Sequence, residues 1–339
     1  MRGHKMTVFS NYVIEDGKEY NQLACEVLIN PSTEYTELKI LSGYASPDAA
    51  FSHFTAMEKV LHGRKMPKIE LICGMSAREG VSYLDHEGFK KISSEVESFN
   101  CKYMMKTCPP SHVKLYIWYK NGVPKRAFIG SANYSLGSFF MTNKKEALSF
   151  CDPVEADEYF QAYGECLIDC MNPDVNEFVN IGLKPKKRSS KAKESKNSIT
   201  LTLLNTRTRE VPERSGLNWG QRPEVHRDPN QAYIAIPRSV VQSKPDFFPP
   251  KKVAFKVIAD DEQILFCAVS GNKLNEPPKQ FETTYNNAEL GKYFRKRLGL
   301  PSGAIVTTRD LRLYGRSDIE LTKINDDTYY LDFSKPGQE

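Results

Sequence analysis

The chain has 339 residues, of which 40% are apolar and 26% charged, with 17 Tyr, 18 Phe and a net charge of +5. That length suits two domains, each able to bury a core of its own, and the composition excludes a largely disordered chain. No apolar run approaches the roughly 20 residues of a membrane-spanning helix, and the first ten residues lack the apolar stretch and cleavage site of a secretion signal, so a cytoplasmic location without membrane contact is expected.

In chain order, residues 18 to 171 alternate apolar, β-branched runs with amphipathic stretches. Strands are expected at 38–45, 69–75, 102–106, 113–119 and 126–129, with a short one at 147–150. Helices are expected from Pro47, placed at a first helical position, to about residue 61, and over 82–99 and 153–171. This α/β order implies a mixed or mostly parallel sheet covered on both faces. Residues 184–198, KPKKRSSKAKESKNS, hold seven Lys/Arg against one Glu, a local charge of +6 that leaves about −1 for the rest of the chain. The segment reads as an interdomain linker, either simply solvated or also touching phosphates. Beyond it come short strands at 233–236, 253–259, 263–269, 309–314, 319–324 and 328–333, with one helix over 288–298, a pattern that suggests a β-barrel or sandwich. The expected division is therefore a domain over 1–183, a basic linker over 184–198 and a second domain over 199–339. The eight cysteines include no CxxC pair, and Cys166 and Cys170 are spaced one helical turn apart; buried thiols are expected and no metal site.

The most specific local feature is His112-Val113-Lys114 on an expected strand, followed by a hairpin turn at Asn121-Gly122 and a second strand ending in Gly130-Ser131-Ala132-Asn133. Alternation along a strand sets His112 and Lys114 on one face and turns Val113, Leu115 and Ile117 into the core. The hairpin returns the Gly-Ser-x-Asn end to the neighbourhood of His112. Together these groups suit a phosphodiester: a nucleophile, a fixed cation, and neutral donors for the non-bridging oxygens. No P-loop, HExxH or GxGxxG run occurs, so ATP and NAD are not expected ligands of this chain and no cofactor is expected. Glu37-Leu38-Lys39 and Pro47-Asp48 occur in the wrong order for a metal-dependent nuclease and read as a surface strand and a helix start.

On these residues the sequence resembles the phospholipase D superfamily, whose signature is HxK followed by GSxN. The usual Asp five residues after the Lys is Tyr119 here. In the subgroup resembling the restriction endonucleases BfiI and NgoFVII that Asp is also missing, and a Glu beyond GSxN serves instead; Glu146 stands in that position and is expected to orient an imidazole. The resemblance implies that His112 attacks phosphorus to form a phosphohistidine, that Lys114, Ser131 and Asn133 bind the phosphate, and that no metal is used. It also implies a second His as acid and base. Since the chain carries a single HxK/GSxN set, that His is expected from a second copy, giving a two-fold homodimer with one composite site.

Residues 207–230 mix Arg207, Arg209, Arg214, Arg222 and Arg227 with Asn218, Trp219, Gln221, Glu224, His226 and Asp228. Arg suits guanine, Asn and Gln suit adenine, and Glu or Asp suits cytosine, so this mixture can distinguish bases where a purely basic loop could grip only phosphates. A second polar set, Arg309, Arg312, Tyr314, Arg316 and Asp318, is expected where two late strands meet at Gly315. A solvated loop and a hairpin tip are the other reading of both. Asn218-Trp219-Gly220-Gln221 and Leu313-Tyr314-Gly315-Arg316 resemble the C-terminal part of NgoFVII-type restriction endonucleases. That resemblance implies a seven-stranded pseudobarrel related to the plant B-three domain, gripping double-stranded DNA with an N-arm at about 214–230 and a C-arm at about 309–318. Some such relatives work with a separate helicase-like ATPase subunit, a partner this sequence neither requires nor excludes. The expected function is a sequence-specific restriction endonuclease. The alternatives are a non-catalytic DNA-binding regulator and a lipid phosphodiesterase.

Overall fold

In the computed structural model the residues described are 7–15, 18–141, 144–183, 197–271 and 276–335. The chain divides into two compact units, 1–185 and 186–339. Most of the expected basic linker, residues 184–196, lies outside the described residues.

The first unit is built on an eight-stranded sheet. Its strands are β1 (Val8–Ser10), β2 (Glu37–Ser42), β3 (Lys68–Cys73), β4 (Phe99–Met104), β5 (Lys114–Lys120), β6 (Val123–Gly130), β7 (Ala147–Cys151) and β8 (Leu167–Asp169), in the spatial order β1-β7-β6-β5-β2-β3-β4-β8. Only the β2–β3 and β3–β4 pairs are parallel, so the sheet is mixed. One face is covered by α1 (Pro47–Leu61) and α3 (Tyr83–Glu95), where Phe54 meets Phe99 and Phe89 meets Tyr103. The other is covered by α4 (Pro153–Gln161), whose Ala156 and Phe160 pack on Leu41, Leu115, Ile117 and Tyr119. A short helix, α2 (Ser76–Glu79), follows β3.

Sequence periodicity located these elements, but packing set their ends. The helix expected over 82–99 stops at Glu95, because Phe99 is claimed by β4. The one expected over 153–171 ends at Gln161; a 3-10 turn (Gly164–Cys166) follows, and then β8 pairs antiparallel with β4. Cys166 and Cys170 are therefore not on one helix. Cys166 instead forms a disulfide with Cys108, with Cα atoms 5.8 Å apart, because Met105 N donates to Cys166 O and brings the two segments together. The strand read as a surface strand, Glu37-Leu38-Lys39, is β2, next to the middle of the sheet. His112 lies just before β5 rather than on it. Nor is β5 half solvated: Tyr116 and Trp118, on the Lys114 side, are as buried as Leu115 and Ile117 on the other. The turn at Asn121-Gly122 has φ of 53° and 75°, the two left-handed residues that a tight hairpin with right-handed twist requires.

The second unit holds β9 (Ser198–Thr202), β10 (Ile234–Ala235), β11 (Ala254–Ala259), β12 (Ile264–Ser270), β13 (Gln280–Thr283), β14 (Asp318–Lys323) and β15 (Thr328–Asp332), in the order β9-β14-β15-β11-β12-β13-β10. Seven strands wrap into a nearly closed barrel around Phe255, Val257, Leu265, Val269, Phe281, Tyr329 and Leu331. The helix expected over 288–298 is α5 (Ala288–Leu298), ended by Gly299 at φ 70°. Sequence reading missed β9, whose first residue it assigned to the linker, and β13.

One expected strand is a helix. Residues 309–314 fall in α6 (Thr308–Tyr314), which starts at a capping box where Thr307 accepts from Asp310 N and Asp310 accepts from Thr307 N, and ends at Gly315 with φ 94°. Leu311 and Tyr314, three residues apart, are its buried positions, a helical spacing in a stretch too short for periodicity to separate helix from strand.

Candidate active site

The first unit's site forms where the ends of β2 and β6 meet the start of β5. Ser42 on β2 is directly opposite Lys114. The chain leading into β5 is fixed from below: Ser111 N donates to Gly74 O at 3.1 Å, and a Cβ on Gly74 would sit 2.2 Å from Ser111 O, so only glycine permits this approach. Gly43, one residue past β2, donates to Val113 O at 3.0 Å. A Cβ on Gly43 would lie 2.8 Å from His112 Cδ2 and 3.4 Å from Lys114 Nζ, so imidazole and ammonium occupy the same side of the chain around one bare Cα. His112 is exposed, whereas Lys114 is only 5% exposed and donates to His112 O at 2.6 Å. Burial lowers the Lys114 pKa from the ordinary lysine value, and the charge of Glu146 opposes that shift.

The turn after β6 supplies the other groups. Asn133 Oδ1 accepts from Tyr44 N at 3.0 Å, and among the described residues its amide NH₂ has no hydrogen-bond partner, so it is available as a donor. Ser131 Oγ donates to Glu146 Oε2 and accepts from Ala147 N. Glu146 thus engages Ser131 and does not hydrogen-bond the His112 ring, as had been expected of it. Among the described residues no side chain hydrogen-bonds that ring; its side-chain neighbour is Tyr44, edge-on with centroids 5.6 Å apart. Gly130 is required here as well, since a Cβ would lie 2.3 Å from Ala147 O.

Three buried groups that sequence reading passed over set this geometry. Asn11, 0% exposed, donates to Ser138 O and Lys144 O and accepts from Glu146 N, pinning the backbone that carries Glu146. His53 on α1 bonds the Tyr134 hydroxyl at 2.9 Å and Leu28 O at 3.1 Å, and burial lowers its pKa to about 4, so it is neutral. Ser42 donates to Tyr44 O and accepts from Tyr134 N. Each is a polar residue in a largely apolar stretch, and its partners become visible only in three dimensions. Tyr119, where the superfamily usually has Asp, points to the opposite face, where its hydroxyl donates to Asp157 beside Lys39.

In the second unit the two arms expected to face DNA are packed together at their bases. Asn218 is fully buried, donating to Pro212 O and Val306 O and accepting from Val306 N, so its amide has no edge left for a base. Gln221 Nε2 donates to Pro229 O and Gly303 O. Arg295, 1% exposed and not singled out from sequence, donates to Leu217 O, Pro229 O, Gly291 O and Ala304 O, tying the first arm and the segment that leads into α6 to α5. Tyr314 is buried too: its hydroxyl donates to Phe333 O and its ring stacks on Phe333. Arg316 is held between Asp318 and Asp332, each at 3.0 Å. The outward-facing members are Arg207 and Arg209 ahead of the first arm, Arg214, Glu224, His226 and Asp228 on it, and Arg309 and Arg312 on α6. Arg214 pairs with Glu224 at 3.1 Å, Arg222 Nε donates to Arg214 O, and the Arg227 guanidinium lies 4.2 Å over the Trp219 ring. Arg209 and Arg312 line one cleft with Arg316.

Residues 21–180 match the family model of the NgoFVII restriction endonuclease N-terminal PLD domain, and residues 191–325 match that of the NgoFVII C-terminal B3-like DNA-binding domain. Among solved structures, the chain is similar to Nuc from Salmonella typhimurium, a phospholipase D family member, at 13% identity and TM-score 0.32, over 49% of this chain and 98% of that one. It is similar to NucT from Helicobacter pylori at 18% identity and TM-score 0.31, over 49% and 99%. Scores this low carry no weight beside the family match. No curated protein matches the chain.

Proposed function

This chain belongs to the NgoFVII restriction endonuclease family, and from that premise we propose that it cleaves DNA at a specific sequence through a phosphohistidine formed on His112, without a metal ion. The observation that carries the proposal is the convergence of the exposed His112 imidazole and the buried Lys114 ammonium on one glycine, Gly43, beside the amide NH₂ of Asn133, which has no hydrogen-bond partner among the described residues.

In the first step an imidazole nitrogen of His112 attacks phosphorus, an N–P bond forms, and the bond from phosphorus to the leaving sugar oxygen breaks. That oxygen takes a proton from the partner's His112, in a two-fold homodimer whose halves build one site. In the second step the partner's His112 removes a proton from water, the water oxygen attacks phosphorus and His112 leaves, releasing a phosphate monoester end. Lys114 balances the charge on the non-bridging oxygens and the Asn133 amide donates to them, joined by the Ser131 hydroxyl when it turns from Glu146 to the phosphate. Glu146 holds Ser131 and supports the charged form of Lys114. Cleavage is assigned to residues 1–183 and recognition to 199–339, joined by the basic stretch 184–198. Arg209, Arg214, Arg222, Glu224, Arg227, Asp228, Arg309 and Arg312 would face the duplex, with Asn218, Gln221, Tyr314, Arg316 and Asp318 supporting them.

The test is incubation of the purified protein with phage genomic DNA in EDTA. Discrete fragments are expected from the wild type and none from His112→Ala, and quenching a single turnover in alkaline SDS should trap a DNA–protein adduct that alkali spares and acid dissolves. Strict dependence on Mg²⁺ would overturn the mechanism, and hydrolysis of lipid vesicles in preference to DNA would overturn the substrate. Because no carboxylate bonds the His112 ring among the described residues, a non-catalytic DNA-binding regulator is the second reading. Site-specific binding with no cleavage in EDTA, in Mg²⁺ or with ATP and a helicase-like partner would favour it.

A further inference from the structure

A nucleophilic imidazole needs a fixed ring plane, usually set by a hydrogen-bonded carboxylate or carbonyl. At His112 that role is vacant: Glu146 is engaged with Ser131, and among the described residues no side chain bonds the ring. Packing holds it instead. Gly43 lies beneath it, and the Tyr44 ring meets it edge-on at 5.6 Å with planes 79° apart.

Tyr44 is itself held more firmly than a 41% exposed side chain usually is. Its N–H donates to Asn133, its carbonyl accepts from Ser42, and its hydroxyl donates to Glu79 Oε1 at 2.7 Å. Glu79 is the last residue of α2, on the strand-to-helix connection after β3, and so anchors the phenol from a neighbouring element. The hydrogen bond to Glu79 raises the Tyr44 pKa, which keeps the hydroxyl protonated and donating. The core does not require a tyrosine here, since the ring is exposed. Its backbone bond to Asn133 also couples the ring's position to the phosphate-binding amide.

We infer that Tyr44, anchored by Glu79, is a positioning residue that sets the ring plane of His112 for attack on phosphorus. The inference rests on the assignment of His112 as nucleophile. A T-shaped aromatic contact contributes about 0.5–1.5 kcal/mol in double-mutant cycles, which is about a two- to twelvefold bias toward one ring orientation at 1.4 kcal/mol per factor of ten.

The test compares wild type, Tyr44→Phe, Tyr44→Ala and Glu79→Gln as full-length proteins. Single-turnover cleavage of phage DNA in EDTA should fall about five- to tenfold in Tyr44→Ala with the half-saturating DNA concentration unchanged. Tyr44→Phe should restore most of the rate because it keeps the ring, and Glu79→Gln, whose amide oxygen can still accept from the Tyr44 hydroxyl, should lose no more than Tyr44→Phe does. A second readout is independent of cleavage: in histidine-selective NMR the His112 ring resonance, identified by its loss in His112→Ala, should move and broaden in Tyr44→Ala but not in Tyr44→Phe. If Tyr44→Ala leaves both the rate and the His112 resonance at wild-type values, or if Tyr44→Phe is as slow as Tyr44→Ala, the inference is overturned. If instead the wild type itself does not cleave but the His112 resonance still depends on the Tyr44 ring, the positioning contact stands while the nuclease reading fails.

Discussion

Gly43→Ala adds one methyl group at the point where the site is tightest. The new Cβ would stand 2.8 Å from His112 Cδ2 and 3.2 Å from His112 Cα, while ordinary carbon contacts begin at 3.4 Å, so the imidazole must retreat by about 0.6 Å and the backbone resists. Misplacing a reacting group by 1 Å costs about a hundredfold, so the chemical step should slow by about ten- to hundredfold, or about 1.4–2.7 kcal/mol. Overpacking adds a stability cost of about 1–3 kcal/mol, and the comparison is therefore made well below the melting transition. The assay is single-turnover cleavage in EDTA with enzyme in excess, alongside near-UV circular dichroism and a gel shift on the same DNA. A folded, DNA-binding Gly43→Ala protein that cleaves within twofold of wild type would refute the reasoning, because the methyl group cannot be accommodated with His112 where the structure has it.

Other consequences follow from charge and burial. The charged form of Lys114 is the one that balances phosphate, and its folded pKa is lowered, so its charge is lost as pH rises sooner than in an ordinary lysine. Glu146→Gln removes the opposing charge and should move the alkaline limb of the pH–rate profile to lower pH; an unmoved limb would contradict that coupling. Burial holds the folded pKa of His53 at about 4, below the ordinary histidine value of 6.5. The unfolded chain therefore binds the extra proton first, and stability present above pH 6.5 is lost as pH falls toward 4, by about 3 kcal/mol at 1.36 kcal/mol per pKa unit. Urea unfolding of His53→Gln should show a flatter pH dependence than wild type across that window, and parallel curves would rule the linkage out. Asn218→Ala deletes three buried hydrogen bonds and should cost the second unit about 2–4 kcal/mol. Arg309→Ala should leave the melting temperature alone and weaken DNA binding; the reverse pattern would show that the buried amide and the exposed guanidinium have been assigned the wrong roles.

The amino-acid order alone located the hairpin of β5 and β6, the HxK and GSxN segments at its two ends, helix α1 from Pro47, helix α5, and the change from an α/β to a β-rich pattern near residue 190. Local rules govern all of these: hydrophobic period, a two-residue turn that needs positive φ, and a proline at a first helical turn. Wherever a residue's role depends on a partner far along the chain, sequence was silent or misleading. Glu146 was singled out in the sequence to orient an imidazole, but its bond to Ser131 was not foreseen, because Asn11, 135 residues away, decides where that backbone lies. Asn218 and Tyr314 have the polar groups of DNA readers, yet burial against 212, 306 and 333 turns those groups inward. The short segment 308–314 fits either helix or strand by its apolar spacing, and the capping bonds at Thr307 and Asp310 resolve it. Periodicity records which side of an element faces the core. Which polar group meets which depends on the close packing of distant segments, and that exists only once the chain has folded.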